Sequence, residues 1–321
     1  MRGVDYRAFG LTISSDIVLP ELLPMSFENE GQGRDVIITR ADLTEQWARL
    51  FQEDEFFIIK ENFCMFKVDG VAIYAIHGGT NITVSPCDGA QEDQVRLFIL
   101  GTSMGILLMQ RKTLPLHGSA IAVDGAAIAI VGSSGAGKST LASEFLQRGY
   151  HLISDDLIPV TFQKSGIPYI KPAYPQQKLW LESLHHFGME ETKYRPLIDR
   201  ASKFAIPVLN QFVSEWLPLV GVYELVKSDK QDIQVKPIHN LERLQTLYKH
   251  TFRKSLLKKS GLLEWHFHTI AKMVNKLDIY QLQRPTSYFT AEQLADVIES
   301  EWIARRNTND QAAKAYHPSI S

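Results

Sequence analysis

The chain is expected to be an α/β protein: a phosphate-loop core behind an N-terminal antiparallel β-rich domain. Three observations predict this. An apolar β run, Ala126 to Val131, leads straight into Gly132-Ser-Ser-Gly-Ala-Gly-Lys-Ser139, and a helical pattern follows. The first hundred residues carry short β-rich runs separated by turn signals. Prolines crowd residues 157–240 and exclude long helices there.

Length and composition agree with a soluble chain that buries a large core. The 321 residues are 45% hydrophobic and 22% charged, which suits two modest domains at about 150 residues each. The expected divisions are a β-rich domain over 1–92, the phosphate-loop domain over 93–306 and a flexible tail over 307–321. With 34 Lys+Arg against 36 Asp+Glu the net charge is -2, so no global positive field gathers nucleic acid. Cys64 and Cys87 exclude a disulfide framework and a Cys-based zinc site. The opening residues lack an apolar export signal, and Leu97 to Met109 is too short to cross a bilayer. A cytoplasmic protein without membrane or nucleic-acid partners is expected.

The β-rich runs are Val36 to Thr39, Phe56 to Ile59, Phe63 to Val68, Val71 to Ile76 and Asn81 to Val84. Asp69-Gly70 and His77-Gly78-Gly79 punctuate them and predict an antiparallel meander. Residues 94–111 read as a helix, apolar nearly all round and therefore buried between the meander and the second part of the chain. A second hairpin, Ser119 to Val123 and Ala126 to Val131, turns at Asp124-Gly125. The next helix starts near Lys138 and ends near Gly149. His151 to Asp156 reads as a short strand ending in two carboxylates. Short strands, including Trp216 to Val226, fill the Pro-rich middle. Helical pattern returns from Leu241 to Asn275, then a strand (Leu277 to Leu282) and a helix from Ala291 to Arg305, with Thr290 and Gln293 as its capping box.

Gly132-x4-Gly137-Lys138-Ser139 is the phosphate-loop pattern, with strand before and helix after. Its glycines let the backbone curl so that N–H groups face an anion, and the helix dipole adds to this. Nucleotide contacts are expected from Gly132, Ser133, Ser134, Gly135, Ala136, Gly137, Lys138, Ser139 and Thr140. Lys138 reaches the β/γ-phosphates and Ser139 ligates Mg²⁺. Asp155 and Asp156 are read as pointing to opposite faces of their strand, one toward Mg²⁺ and the other toward the acceptor. His117 returns toward the loop if the hairpin folds back, placed to steady the γ-phosphate or orient an Asp; on periodicity alone it reads as a structural histidine.

From His117-Gly118 through GSSGAGKST to Ser154-Asp155-Asp156, the sequence resembles the kinase domain of HPr kinase/phosphorylase. That fold is shared with ATP-dependent phosphoenolpyruvate carboxykinase. The resemblance implies a P-loop kinase core of that type, with ATP and Mg²⁺ as cofactors. It implies His117 as an active-site histidine, Lys138 and Ser139 on phosphate and magnesium, Asp155 on the metal side and Asp156 as base. Thr140 stands where the family has Glu, and no phosphorolysis loop is recognisable after Asp156. The chain is more similar to HPr-kinase-like proteins of peptide-biosynthesis clusters, which include kinases of a lasso-peptide precursor's C-terminal serine. The implied partner is a peptide or small protein with an exposed serine, and a homo-oligomer is compatible. A nucleotide-gated module without catalysis, an HPr kinase and a small-molecule phosphotransferase are the alternatives.

Several weaker signals stand beside these. Lys249, His250, Arg253, Lys254, Lys258 and Lys259 form a basic run, read as a solvated helix face before a docking surface for an acidic peptide. Arg195, Arg200 and Lys203 are candidates to clamp a phosphoryl group. His185-His186 and His266-x-His268 lack metal-ligand spacing and are read as structural.

Overall fold

The computed structural model describes residues 3–25, 33–51, 55–197 and 200–315. Eight N-terminal strands form one sheet: β1 Val4–Ala8, β2 Leu11–Ser15, β3 Leu23–Pro24, β4 Val36–Arg40, β5 Phe57–Lys60, β6 Phe63–Val68, β7 Ala72–His77 and β8 Asn81–Pro86. A short helix, α1 Thr44–Leu50, lies within this stretch. The sheet order is β3-β1-β2-β4-β8-β7-β6-β5. Strands β5 to β8 are the expected antiparallel meander. The sheet as a whole is mixed, because β4 runs parallel to both β2 and β8. Long connections, 16–35 and 41–80, permit those parallel crossovers, which a two-residue hairpin cannot make.

The expected buried helix is present with a break in its winding: α2 Glu92–Phe98, a π-helical stretch Ile99–Ser103 and α3 Met104–Gln110. Ile99, Leu100, Met104, Leu107 and Leu108 pack with Tyr74, Ile76 and Ile82 of the N-terminal sheet. Leu157, Tyr174 and Leu256 join the same cluster from beyond. The helix is therefore sandwiched, as its all-round apolarity demands.

The second half begins with β9 Leu114–Val123, β10 Ala126–Gly132, α4 Lys138–Gln147 and β11 His151–Phe162. Asp124 (φ 49°) and Gly125 (φ 77°) make the turn between β9 and β10, the two positive angles that a tight hairpin needs. Then come β12 Pro168–Ile170, β13 Gln176–Trp180, α5 Leu181–His186, β14 Arg195–Leu197, β15 Arg200–Pro207, β16 Leu217–Ser228 and β17 Gln234–Pro237. The chain closes with α6 Asn240–Lys249, α7 Leu256–Lys259, α8 Leu263–Val274, β18 Asp278–Pro285 and α9 Ala291–Ala315. The main sheet runs β10-β9-β11-β12-β16-β18-β17, and β16 also pairs parallel with β10. Strands β13 to β15 form a small separate sheet.

Residues of β10 alternate between two cores, as a strand buried on both faces must. Ile128 and Ile130 face Leu141, Phe145 and Leu146 of α4. Ala127, Ala129 and Val131 face the cluster of Leu247, Ile270 and Met273. Two expectations are corrected. Strand β11 does not end at the carboxylates; it continues to Phe162 because Leu157, Ile158 and Val160 remain apolar and pair with β9. Helix α9 runs on through Ala315, past the expected helix end at Arg305. The stretch Gln311-Ala-Ala-Lys-Ala is made of strong helix formers.

Candidate functional site

The loop between β10 and α4 is built by close approaches. A Cβ at Gly132 would lie 2.6 Å from the Leu225 carbonyl oxygen, and Gly137 holds φ 105°. The first N–H groups of α4 have no intrahelical partner and open toward the loop's concavity. Lys138 donates from Nζ to the Ser133 carbonyl at 3.0 Å. Burial lowers its pKa, opposed by the nearby charges of Asp155 and Asp156.

Gly132, Ser133, Ser134, Gly135, Gly137, Lys138, Ser139 and Thr140 line one wall of a cavity of about 660 Å³, with His117, Asp155 and Asp156 on another. Ala136 and Thr140 also make contacts within the protein. The Ala136 side chain sits in the core, its N–H is taken by the Ser133 carbonyl at 3.1 Å, and its own carbonyl accepts from Arg284 Nε at 2.7 Å. The Thr140 hydroxyl is 2.8 Å from Ser183 Oγ on α5, so it ties helix to helix.

Asp155 is buried and fully engaged. Its Oδ1 accepts from Ser119 Oγ at 2.6 Å and from Ser139 Oγ at 3.0 Å. Its Oδ2 accepts from the Lys178 backbone N–H at 2.8 Å. Asp156 does not point to the opposite face as expected. Its φ of 74° interrupts the pleat, so both carboxylates reach the same cavity. Asp156 Oδ2 accepts from Lys178 Nζ at 2.7 Å, and Oδ1 lies 3.4 Å from His117 Nδ1. Burial pushes the Asp156 carboxyl up, but Lys178, His117 and Lys203 together hold it well below the usual range. Burial disfavours the Lys178 ammonium, yet Asp156 and Tyr174 raise its pKa overall.

His117 arrives where the fold-back of β9 predicts. It stands opposite Leu157 in the β9–β11 ladder, with Nδ1 3.0 Å from the Asp156 carbonyl oxygen. Gly118 beside it is obligatory, since a Cβ there would lie 2.2 Å from the Ile130 carbonyl oxygen.

The basic run is not one helix face. Helix α6 ends at Lys249, Arg253 has φ 49°, and α7 starts at Leu256. Lys249, His250, Arg253 and Lys254 line the cavity; Lys259 instead pairs with Glu55 at 2.8 Å. Glu224, nearly fully buried, receives Lys249 Nζ at 2.7 Å and lies 2.8 Å from His250 Nε2. Lys203 also lines the cavity, over the Trp180 ring, whereas Arg195 pairs with Asp93. The side chain of Arg200 lies outside the described residues. His186 stacks on Phe289, and His266 is buried beside Thr251, both as structural residues.

Lys178 and Glu224 lie outside the phosphate-loop and paired-carboxylate motifs. Lys178 lies 22 residues after Asp156 in a Pro-rich stretch with no periodic signal. Glu224 does carry a signal, a lone acid inside the apolar run Val222-Tyr-Glu-Leu-Val226.

A divalent cation suits the oxygens present. Ser139 Oγ and Asp155 Oδ1 are 3.0 Å apart, both hard donors on the loop side. Among the described residues no group of three or more His, Cys, Asp or Glu forms a protein-only metal cage. Mg²⁺ characteristically binds through one or two side chains and completes its shell with water and phosphates.

A strand, a glycine-rich loop and paired carboxylates meet at one cavity, and the comparisons fall on this segment. Residues 109–172 match the family described as HPr Serine kinase C-terminal domain. The chain is 45% identical over 64 residues to HPr kinase/phosphorylase of Mycoplasmopsis pulmonis, covering 19% of this chain and 21% of that protein. It is 25% identical over 174 residues to HPr kinase/phosphorylase of Lactobacillus gasseri, covering 51% and 53%. Among solved structures it is similar to an HPr(Ser) kinase/phosphatase from Coxiella burnetii at 12% identity and TM-score 0.36, covering 63% and 99%. The matched stretches thus span from a fifth to about half of these curated relatives. Over them, the chain is HPr-kinase-like.

Proposed function

We propose that the protein is an ATP- and Mg²⁺-dependent serine kinase acting on a peptide or small protein. The observation that carries this is the convergence of Lys138, Ser139, Asp155 and Asp156 on one cavity. A nucleotide gate needs the loop and one metal-side acid. It has no use for a second carboxylate fixed by a lysine and a histidine.

In this reading the loop N–H groups and Lys138 bind the donor's phosphates. Ser139 and Asp155 would hold Mg²⁺, which neutralises charge on the phosphates when bound. Asp156 accepts the hydrogen bond of the serine hydroxyl. The serine oxygen forms its bond to the γ-phosphorus, the bond from that phosphorus to the bridging oxygen of ADP breaks, and the hydroxyl proton passes to Asp156. Lys178 makes Asp156 a weak base, so its work is to orient the hydroxyl and take the proton late. A loose phosphoryl-transfer transition state asks for no more. His117 positions Asp156.

The acceptor is an exposed serine on a flexible segment, because its hydroxyl must enter the cavity beside the γ-phosphate. The resemblance implies the C-terminal serine of a precursor peptide. Incubation of serine peptides with ATP and Mg²⁺, followed by mass spectrometry, tests the reading. A gain of one phosphoryl group on serine supports it; nucleotide binding without transfer to any peptide contradicts it.

A further inference from the structure

We propose that Arg253 selects the acceptor by pairing with a carboxylate that the acceptor carries next to its hydroxyl; this rests on the kinase reading above. The segment leading to Arg253 is fixed to β9. His117 N–H donates to the His250 carbonyl at 2.8 Å, and Phe252 N–H donates to the Pro115 carbonyl at 2.9 Å. The Phe252 ring fills a notch at Gly105, where a Cβ would approach it to 2.5 Å. The His117 ring lies 6.3 Å from it, centre to centre. Arg253 is thus joined, through one phenyl ring, to the histidine that holds Asp156.

Its conformation is unusual. Arg253 takes φ 49°, a left-handed angle uncommon for a residue with a side chain. The guanidinium lies over Phe57 at 5.6 Å and Phe252 at 5.8 Å, and Nη2 donates to Thr102 Oγ1 at 3.0 Å. Aromatic faces and one hydroxyl hold the group in place without neutralising it.

The other cavity cations near it are accounted for. Lys178 is paired with Asp156 and Lys249 with Glu224. Lys254 lies over the Tyr248 ring with Nζ 3.3 Å from the Lys249 carbonyl oxygen. Among the described residues no carboxylate lies within 4.0 Å of the Arg253 guanidinium. Asp156 is the charge that it senses, against the cost of burial. In the kinase reading the donor's phosphates already have the loop, Lys138 and Ser139, whereas the charge that acts on Arg253 is that of Asp156, the residue that faces the acceptor. An anion bound by Arg253 therefore belongs to the acceptor. A planar guanidinium fork suits a carboxylate, which it grips with two parallel hydrogen bonds.

The test uses three pools of short peptides, randomised before a serine, with ATP labelled at the γ-phosphate and Mg²⁺. One pool ends in serine as the free acid. The second ends in serine amide. The third ends in Ser-Glu with an amidated end. Below saturation, the wild-type protein is expected to label an acid-bearing pool about tenfold more than the amide pool, through KM. Preference for the first pool identifies a chain-terminal carboxylate, and preference for the third an acidic side chain. Arg253→Gln should bring the ratio close to one. Equal labelling of all three pools by the wild type overturns the inference alone, as does a preference that survives in Arg253→Gln. No labelling of any pool overturns the kinase reading and this inference with it.

Discussion

Lys178 grips both site acids at once: its Nζ donates to Asp156 at 2.7 Å and its backbone N–H to Asp155 at 2.8 Å. A residue on β13 thereby fixes two carboxylates on β11. The pairing is lopsided, since the Lys178 side chain is 8% exposed and that of Asp156 is 26% exposed. Removing the acid strands a buried cation, whereas removing the lysine leaves an anion at the cavity wall.

That asymmetry predicts stability. Asp156→Asn should cost about 1–3 kcal/mol, less than a fully buried broken pair. Lys178→Met should cost less than Asp156→Asn, and the double variant should be more stable than Asp156→Asn alone. Urea unfolding of the three variants checks the cycle. A double variant no more stable than Asp156→Asn would count against the pairing.

Asp155→Asn should separate folding from chemistry. Ser119 and Ser139 are hydroxyls, able to accept as well as donate, so an amide NH₂ can face them while its oxygen keeps the Lys178 N–H. The expected outcome is a folded protein whose turnover at ordinary Mg²⁺ falls at least about a hundredfold. Near wild-type turnover with an unchanged Mg²⁺ requirement would place the metal elsewhere.

Stability should fall with acidification in two windows. Burial depresses His266 from 6.5 to about 4, so the unfolded chain takes its proton first and stability drops as pH falls through that range. Glu224 sits at about 2 against an ordinary 4.5: burial raises it, but hydrogen bonds from His250, Lys249 and Gln281 win. Its contribution is present above about 4.5 and is lost as pH falls toward about 2. Asp156, also held low, adds to this second window. His266→Gln should flatten the first window in urea titrations at stepped pH. An unchanged slope between 6.5 and 4 would refute the assignment.

The direction of the reaction is also open to measurement. With no recognisable phosphorolysis loop, the protein should not strip phosphate from a phosphoserine peptide when given inorganic phosphate. Release of pyrophosphate under those conditions would contradict this.

Local chemistry made much of this architecture legible. The Asp124-Gly125 hairpin, the glycine loop and α4 depend on neighbours in sequence, and each forms where its residues predict. The paired acids were harder. Alternation along a strand assigns Asp155 and Asp156 to opposite faces, and only the left-handed angle at Asp156 brings them together. Lys178 is set by the packing of β13 beside β11, a long-range contact with no periodic trace. Parallel pairing of β4 with β2 and β8 depends likewise on how long connections cross, which short β-rich runs do not encode.

Phosphate incorporation with ATP and Mg²⁺ is the decisive measurement, comparing wild type, Lys138→Ala and Asp156→Asn on the same serine peptides. Wild type should yield a phosphorylated serine, and Lys138→Ala should bind no nucleotide. Asp156→Asn should retain nucleotide binding while its turnover falls at least about a hundredfold. Tight ATP binding by Lys138→Ala, or near wild-type transfer by Asp156→Asn, would contradict the assignment of this cavity as a kinase site.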